Sequence, residues 1–353
     1  AMTLSAGQSL SLFGGWQITD TVLLEGGSLT LGGTFAPSAL GMIQRDGANP
    51  GTLTLAGTLN TGGGPFAFDA STGLWNLATA TLSATIDAGG GTITIVPGFE
   101  PRFGAAGTHF INAALVGTLR IGPGVMSVSG ATTLSGDIIL DHASSVLTLR
   151  SGTLAGAPAG RIVVDPSVAT PVTINTGTTG SVTVEIAPSI SVTGGSINFV
   201  GLSATTLINR TDLIADGGVW TFGSSITMNN QGRVGSRSGG TFGARFTGNV
   251  GAFVFEGSGT SLSFSGTSII IGQAITVLPT QTLTLAGSGS TTGWTLLQPV
   301  VLRGGRVNLG GQFSPPDLAN FSRDPLAMGE VHLIGTFRLY RASYTLDDST
   351  GSW

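Results

Sequence analysis

A long segment near the start of the chain returns at its other end without a gap. Residues 14–75 align with residues 292–353 at a constant offset of 278, and 23 of the 62 aligned positions are identical. The longest matches are LGGTFAP at Leu31–Pro37 with LGGQFSP at Leu309–Pro315, and DASTGLW at Asp69–Trp75 with DDSTGSW at Asp347–Trp353. A gapless repeat of this period indicates a tandem array.

The repeat predicts the organisation of the chain. We expect residues 14–291 to form one full repeat unit of a solenoid and residues 292–353 to begin the next unit as a copy of 14–75. Residues 1–13 are then an entry strand, in which Ala1-Met2 resemble a remnant of cloning. Neighbouring repeats of the same parent protein are the first partners that this organisation predicts.

The composition favours one long solenoid over several ordinary domains. Glycine accounts for 58 of 353 residues and charged residues for only 9%, yet the mean hydropathy of +0.37 is too apolar for a disordered linker. The apolar side chains must therefore be buried, and a solenoid buries them by stacking successive coils.

Charge and missing residue types exclude several classes of function. All 14 cations are arginines spread thinly along a chain of net charge −4, so we expect no nucleic-acid partner. Cysteine and lysine are absent, which excludes disulfides, thiolate metal sites and Schiff-base chemistry. No run of 18 apolar residues occurs, so we expect no membrane insertion by this segment.

Short alternating runs closed by glycine predict strands. Ser9–Phe13, Thr52–Gly57 and Ser181–Ile186 alternate small polar residues with leucine or β-branched residues, as half-buried strands do. Asn209 and Asn230 begin similar segments 21 residues apart, which is about one coil of three short strands. At that length the chain would make roughly 17 coils.

Two features interrupt or mark this pattern. Prolines predict single helical turns within Pro37–Ile43 and Pro315–Phe321. Each tryptophan follows a glycine by one or two positions, which favours burial just after a bend, while exposed platforms for sugar stacking are the alternative. The tryptophans are Trp16, Trp75, Trp220, Trp294 and Trp353.

Two motifs resemble those of a known group of proteins. Gly51–Gly57 reads G-T-L-x-L-x-G, and Asn209–Gly218 partly follows N-x-G-x-I-x-A-x-x-G-G-T. Both resemble motifs of the giant secreted or surface-attached proteins of planctomycete-type bacteria. The resemblance implies an all-β, right-handed parallel β-helix with short loop excursions, as in adhesin and autotransporter passengers. It also implies an extracellular or cell-surface location and a role in attachment or as a stalk.

Residues for catalysis or metal binding are sparse. Catalytic β-helices need clustered carboxylates, but the adjacent pair Asp347-Asp348 corresponds to Asp69-Ala70 in the first copy. The remaining candidates to converge across coils are Asp137 with Asp141 and Asp212 with Asp216. The histidines, His109, His142 and His332, are isolated from one another and lack metal-site spacing. We expect no cofactor, no metal and no enzymatic activity.

The repeated Arg-Asp pairs are the main candidate site. Arg45-Asp46 and Arg323-Asp324 occupy equivalent positions of the two copies in a chain where charge is scarce. They are interpreted either as local pairs that pin a loop on the solenoid or as contacts to an acidic or sugar ligand.

Three functional hypotheses remain open. The first is a non-catalytic structural and adhesive repeat module of a large extracellular bacterial surface protein. The second is a carbohydrate-binding adhesin that contacts surface glycans, and the third is a polysaccharide-acting β-helix enzyme.

Overall fold

The protein is all-β. A computed structural model describes residues 1–41, 43–156, 160–165, 168, 172–177, 182–186, 189–191, 196–287 and 293–338. Strand makes up 58% and helix 3%, and parallel strands stack in coils as a β-solenoid of about 14 turns. The predicted all-β parallel β-helix is therefore confirmed.

The chain divides into two compact units, residues 1–178 with 184–191 and residues 179–183 with 192–353. The strands up to residue 191 are Met2–Ser5 (β1), Ser9–Leu12 (β2), Val22–Glu25 (β3), Ser28–Leu31 (β4), Thr34–Phe35 (β5), Ile43–Arg45 (β6), Thr52–Leu55 (β7), Thr58–Asn60 (β8), Phe66–Phe68 (β9), Trp75–Leu77 (β10), Ala84–Asp87 (β11), Thr92–Ile95 (β12), Arg102–Phe103 (β13), Thr108–Ile111 (β14), Ala114–Val116 (β15), Leu119–Arg120 (β16), Val125–Ser135 (β17), Asp137–Leu140 (β18), Val146–Gly156 (β19), Arg161–Val164 (β20), Val172–Thr176 (β21), Val182–Ile186 (β22) and Ser189–Ser191 (β23).

The later strands and the two short 3₁₀ helices follow the same alternation of strand and turn. The strands are Ile197–Gly201 (β24), Thr205–Asn209 (β25), Asp212–Asp216 (β26), Val219–Phe222 (β27), Ile226–Asn230 (β28), Arg233–Arg237 (β29), Thr241–Asn249 (β30), Ala252–Phe255 (β31), Ser261–Ile271 (β32), Ile275–Val277 (β33), Thr282–Gly287 (β34), Trp294–Leu296 (β35), Val300–Leu302 (β36), Arg306–Gly310 (β37), Gln312–Phe313 (β38), Phe321–Arg323 (β39), Glu330–Leu333 (β40) and Thr336–Phe337 (β41). The helices are Pro37–Leu40 and Pro315–Leu318, which confirms the two predicted helical turns.

In the first unit, strands of equivalent position pair in parallel from coil to coil. β2, β4, β7 and β10 pair in this order, and leucines of β4 lie opposite leucines of β7. Leu29, Leu31 and Leu55 are fully buried, whereas Ser28 and Thr30 point outward. Burying one such leucine stabilises the fold by about 1.5–3 kcal/mol, so the period-two pattern decides which face turns inward.

The coils are longer on average than the sequence predicts. Their length ranges from 18 residues between the paired Thr108 and Met126 to 32 residues between the paired Gly152 and Val184. The predicted number of roughly 17 coils was therefore too high, because loops at the corners add residues without adding strands.

In the second unit, the predicted spacing of one coil is found where it was expected. Asn209 and Asn230 are register partners on β25 and β28, and both are buried. Trp220 and Trp294 are fully buried in this unit, as is Trp75 in the first unit. The prediction that tryptophan is buried just after a bend is therefore confirmed for these three residues. Trp16 is half-buried, and Trp353 lies outside the described residues.

Where both copies of the repeat are described, three strand pairings of the first copy recur in the second. In the first, Val22 pairs with Ile43, and in the second, the equivalent Val300 pairs with Phe321. The pairings of β4 with β7 and of β5 with β8 also return at the offset of 278, in β37 with β40 and β38 with β41. The boundary between the two compact units does not coincide with the predicted boundary between residues 291 and 292. A sequence repeat identifies equivalent residues, whereas a compact unit is defined by the contacts within it.

Candidate functional site

Arg45 and Asp46 lie at the end of β6, which is an edge strand of the sheet β1–β3–β6. The terminal guanidinium nitrogen of Arg45 donates a hydrogen bond to the carbonyl oxygen of Leu74. The carboxylate of Asp46 accepts one from the backbone nitrogen of Ala48 at 3.3 Å. Arg45 thus ties the chain around Leu74 to the edge strand, and Asp46 closes its own turn.

The second copy uses its aspartate in the same turn and in an additional ion pair. Asp324 accepts a hydrogen bond from the backbone nitrogen of Leu326 at 3.0 Å, which matches Asp46 and Ala48. It also pairs with Arg303 at 3.1 Å. The residue equivalent to Arg303 in the first copy is Glu25, so the first copy has no such arginine.

A pocket of about 450 Å³ opens between the 3₁₀ helix, β6 and the turn that leads into β10, and Arg45 is not among its lining residues. It is lined by Pro37, Leu40, Gly41, Ile43, Gln44, Leu53, Phe66, Ser71, Thr72 and Trp75. Leu53, Phe66 and Trp75 are buried, and the Phe66 and Trp75 rings meet edge to face at 6.0 Å. The pocket therefore has an apolar floor with amide and hydroxyl groups along its walls.

The turn that forms one wall is built by the DASTGLW motif of the repeat. The Asp69 carboxylate accepts hydrogen bonds from the backbone nitrogen of Ser71 at 2.8 Å and its hydroxyl at 2.6 Å. These bonds, with one from the backbone of Thr72, lower the pKa of Asp69. The indole nitrogen of Trp75 donates to the carbonyl of Thr72 at 3.1 Å. The matching segment, Asp347–Trp353, lies outside the described residues.

Two glycines allow the walls to approach each other. Gly41, after the 3₁₀ helix, has φ +57°, and a β-carbon there would lie 2.2 Å from the carbonyl oxygen of Ile18. Gly73 has φ +69°, and its β-carbon would lie 2.4 Å from Nε of Arg45. Any side chain at these two positions would displace the helix or the guanidinium, so both shape the pocket.

Arg45 is one of three described arginines whose Nε is buried without a hydrogen-bond partner, the others being Arg150 and Arg237. Burial lowers the pKa of Arg45 from its ordinary value. Its Nε is buried without a hydrogen-bond partner, and within the described residues Arg45 forms no ion pair. Among the described residues, the hydrogen bond that Arg45 donates goes to the carbonyl of Leu74.

The other candidate carboxylates form ion pairs or face arginine and make no catalytic cluster. Asp137 binds Arg161 through both carboxylate oxygens, at 2.7 and 2.9 Å, and Asp212 binds Arg233 in the same way. Asp141 lies 3.7 Å from Arg120, and Asp216 is the register partner of Arg237. Three of these pairs join register partners 21 or 24 residues apart: Asp137 with Arg161, Asp212 with Arg233 and Asp216 with Arg237. A search of the sequence for an acid and an arginine at that spacing would have found them.

The histidines do not assemble a metal centre. His109 contacts the hydroxyl of Ser129 at 2.8 Å on the neighbouring coil, and His332 lies 3.2 Å from Glu330. His142 is exposed and accepts a hydrogen bond from the backbone of Ser144. Over the described part of the chain, no three histidine or carboxylate side chains are grouped closely enough to hold a metal ion.

No protein-family model, curated protein or solved structure matches this chain. The resemblance to planctomycete-type surface proteins therefore stays a prediction. Across the described residues, none of the helices has the length and apolar character needed to cross a membrane.

Proposed function

We propose that the chain is a non-catalytic structural and adhesive repeat module of a large extracellular bacterial surface protein. One observation carries the proposal: where both copies are described, they share strand pairings and a tryptophan hydrogen bond as well as sequence. Nε1 of Trp16 donates to the carbonyl of Gly32 at 2.8 Å, and Nε1 of Trp294 donates to that of Gly310 at 3.1 Å, each at the offset of 278. A segment whose internal pairing is retained in successive copies is suited to act as a building block.

The surface chemistry supports a structural role. Three described ion pairs join register partners of adjacent coils: Arg161 with Asp137, Arg233 with Asp212, and Arg306 with Glu330. Cross-coil pairs satisfy charge within the solenoid and favour the correct register of stacking. Neighbouring repeats are the expected partners, because parallel coils present strand edges to the coils before and after them.

Surface labelling tests this proposal. Antibodies raised against the chain should label intact cells of the source bacterium, and a mutant lacking the repeats should adhere less to its substratum. Labelling that appears only after the cells are lysed would contradict an extracellular location.

An assay for polysaccharide cleavage tests the non-catalytic part. We expect no release of reducing sugars or unsaturated uronates from uronate or neutral polysaccharides. Turnover that is abolished by Asp137→Ala or Asp212→Ala would establish the enzyme hypothesis instead.

The pocket between the first 3₁₀ helix and β6 favours a second candidate, a carbohydrate-binding adhesin. Its volume of about 450 Å³ lies within the range typical of small-ligand sites. Binding of the chain to a glycan array, reduced when the pocket is filled by Ile43→Phe, would support this candidate. An array without any bound glycan would contradict it and leave the structural proposal standing.

A further inference from the structure

We infer that the edge strand β2 is the docking surface for one coil of a neighbouring repeat, and that the docked segment corresponds to Gly257–Gly266 of this chain. The inference rests on the proposed structural role and deepens it, because it names the strand and the partner segment that join two repeats. It is carried by a comparison of β2 with β34, the equivalent strand of the second copy.

The repeat extends upstream of residue 14. Residues 1–13 align with residues 274–286 at an offset of 273, and five additional residues between β34 and β35 account for the change from 278. The identical positions of the first copy are Ala1, Thr3, Gln8, Leu10 and Leu12. The strands agree with this alignment, because β1 pairs with β3 and β2 with β4 in the same register as β33 with β36 and β34 with β37. Residues 1–13, predicted as an entry strand, thus share the pairing of the repeat.

The same turn leads into β2 and into β34. The side-chain oxygen of Gln8 accepts a hydrogen bond from the backbone nitrogen of Ser5 at 2.8 Å. The side-chain oxygen of Gln281 accepts one from the backbone nitrogen of Leu278, also at 2.8 Å. The two glutamines therefore occupy equivalent positions, and their amide nitrogens are available for a contact beyond the turn.

In the second copy, the preceding coil supplies that contact. The amide nitrogen of Gln281 donates to the carbonyl of Gly257 at 2.9 Å, and the backbone nitrogen of Thr282 donates to the carbonyl of Thr260 at 2.9 Å. From Ser261 to Gly266, β32 then pairs in parallel with β34. One continuous segment thus provides the side-chain acceptor and the partner strand.

The corresponding side of β2 is an open sheet edge. β2 is the last strand in the order β13–β10–β7–β4–β2. The carbonyls of Gln8 and Leu12 accept hydrogen bonds from the chain of β4, so the backbone groups of Ser9 and Ser11 face the other way. Gln8 is exposed, and no described residue accepts a hydrogen bond from its amide nitrogen. Such an edge is a template for a further strand.

The apolar side chains indicate what this strand must carry. Leu283 and Leu285 of β34 are fully buried, and their register partners on β32 are Leu262 and Phe264. The equivalent leucines of β2, at positions 10 and 12, are only partly buried. A partner with large apolar residues at the positions of Leu262 and Phe264 would remove the remaining leucine surface from water, which favours docking. The chemistry of the partner is thus an extended segment of alternating small polar and large apolar residues.

The experiment measures hydrogen–deuterium exchange of the full chain by mass spectrometry. The probe is a synthetic peptide with the sequence of Glu256–Thr267, and we expect it to slow exchange of residues 8–13 at least about tenfold at saturation. A scrambled peptide, and one with serine in place of Leu262 and Phe264, should give no protection. In a tethered form, residues 250–273 are placed directly before Ala1, which reproduces the Gln273-Ala274 junction and should give the same protection.

Three variants identify the contacts, each checked for an unchanged urea midpoint. Gln8→Glu keeps the oxygen that accepts from Ser5 but loses the amide donor, so it should weaken peptide binding at least about fivefold. Ser11→Pro removes a backbone donor from the open side of β2 and should abolish protection. Ser11→Ala, the matched control, keeps that donor and should bind the peptide as the wild-type chain does.

Three outcomes would overturn the inference. The first is unchanged exchange of residues 8–13 with both the peptide and the tethered coil. The second is protection that persists in Ser11→Pro. The third is protection by rising concentrations of the chain alone and none by the peptide, which would assign the edge to a second copy of this chain. Surface labelling and adhesion are measured separately, so failure at β2 is distinguishable from failure of the proposed function.

Discussion

The side-chain amide of Asn209 donates a hydrogen bond of 2.8 Å to the amide oxygen of Asn230, which occupies the same position one coil later. Asn230 in turn donates to the carbonyls of Val250 at 2.7 Å and Ala252 at 3.0 Å. The two asparagines therefore link three successive coils through buried hydrogen bonds. Because a buried polar group without a partner is costly, this link should contribute measurably to stability.

Replacing Asn230 tests the link. Asn230→Ala leaves the carbonyls of Val250 and Ala252 without these donors, and we expect the free energy of unfolding to fall by about 2–3 kcal/mol. The neighbouring Asn229 is exposed on the same strand, so Asn229→Ala should change it by less than about 0.5 kcal/mol. Urea titrations followed by circular dichroism measure both, and equal losses would show that burial of the amide is not the cause.

His109 should make stability depend on pH. Its ring is half-buried, and burial, with a smaller contribution from Arg150, lowers its pKa to about 4 against the opposing effect of Asp87. The unfolded chain binds a proton near pH 6.5 that the native chain does not, so stability falls as pH decreases from about 6.5 to about 4. The whole pKa difference would lower the free energy of unfolding by about 3 kcal/mol. Because the ring is partly exposed, we expect a loss of about 1–2 kcal/mol.

The histidine variants separate this effect from other titrations. His109→Gln should remove the slope of stability against pH in that interval, whereas His142→Gln, at an exposed position, should retain it. Thermal unfolding at pH 7, 5.5 and 4.5 measures the slope. An unchanged slope in His109→Gln would assign the dependence to the carboxylates.

The tryptophans that open the two copies should differ in their contribution. Trp16 and Trp294 donate equivalent hydrogen bonds, and their rings lie tilted against those of Phe35 and Phe313. Trp294 is fully buried, however, whereas Trp16 is half-buried. We expect Trp294→Ala to cost about 3–5 kcal/mol and Trp16→Ala about half as much. Urea midpoints at 25 °C provide the comparison, and a larger cost at Trp16 would contradict it.

The glycine after the first 3₁₀ helix should resist substitution even though the repeat has alanine there. Gly41 has φ +57° and Ala319, its counterpart, has φ −58°, so the two helices end in different backbone conformations. Gly41→Ala should destabilise the fold by about 1–2 kcal/mol, as measured by urea unfolding. Gly47→Ala, in open space nearby, should leave the urea midpoint unchanged.

Much of the fold could be predicted because a solenoid is specified by local patterns. Alternation in Ser28–Leu31 assigns its inward face, and the 21-residue spacing of Asn209 and Asn230 equals the length of that coil. The pocket could not be predicted, because it forms where the excursion at Pro37 meets the turn at Ser71. No period relates those segments, and their contact depends on a corner loop whose path the strand pattern does not specify.

The contacts of the repeated arginine, Arg45, could not be predicted from the sequence either. Its recurrence indicated that Arg45 matters to the repeat, but the acceptor that it contacts is the carbonyl of Leu74, which has no side-chain signature. The role of Asp69 was also missed, although its motif was recognised, because a hydrogen-bonded turn of Asp69, Ser71 and Thr72 can serve many structures. Ligand binding by Arg45, Asp46, Arg323 and Asp324 stays a prediction.

The equal pairing of the two copies also has a genetic consequence. If DNA encoding a tandem array recombines between the codons for Asp46 and Asp324, the product loses 278 residues, and β4 stands where β37 stood beside β40. The register of β4 with β7 equals that of β37 with β40, so we expect the shortened protein to fold without a compensating mutation. Unequal crossing-over would therefore change the length of such an array in whole-repeat steps, so that alleles of a single gene would differ by multiples of 278 codons.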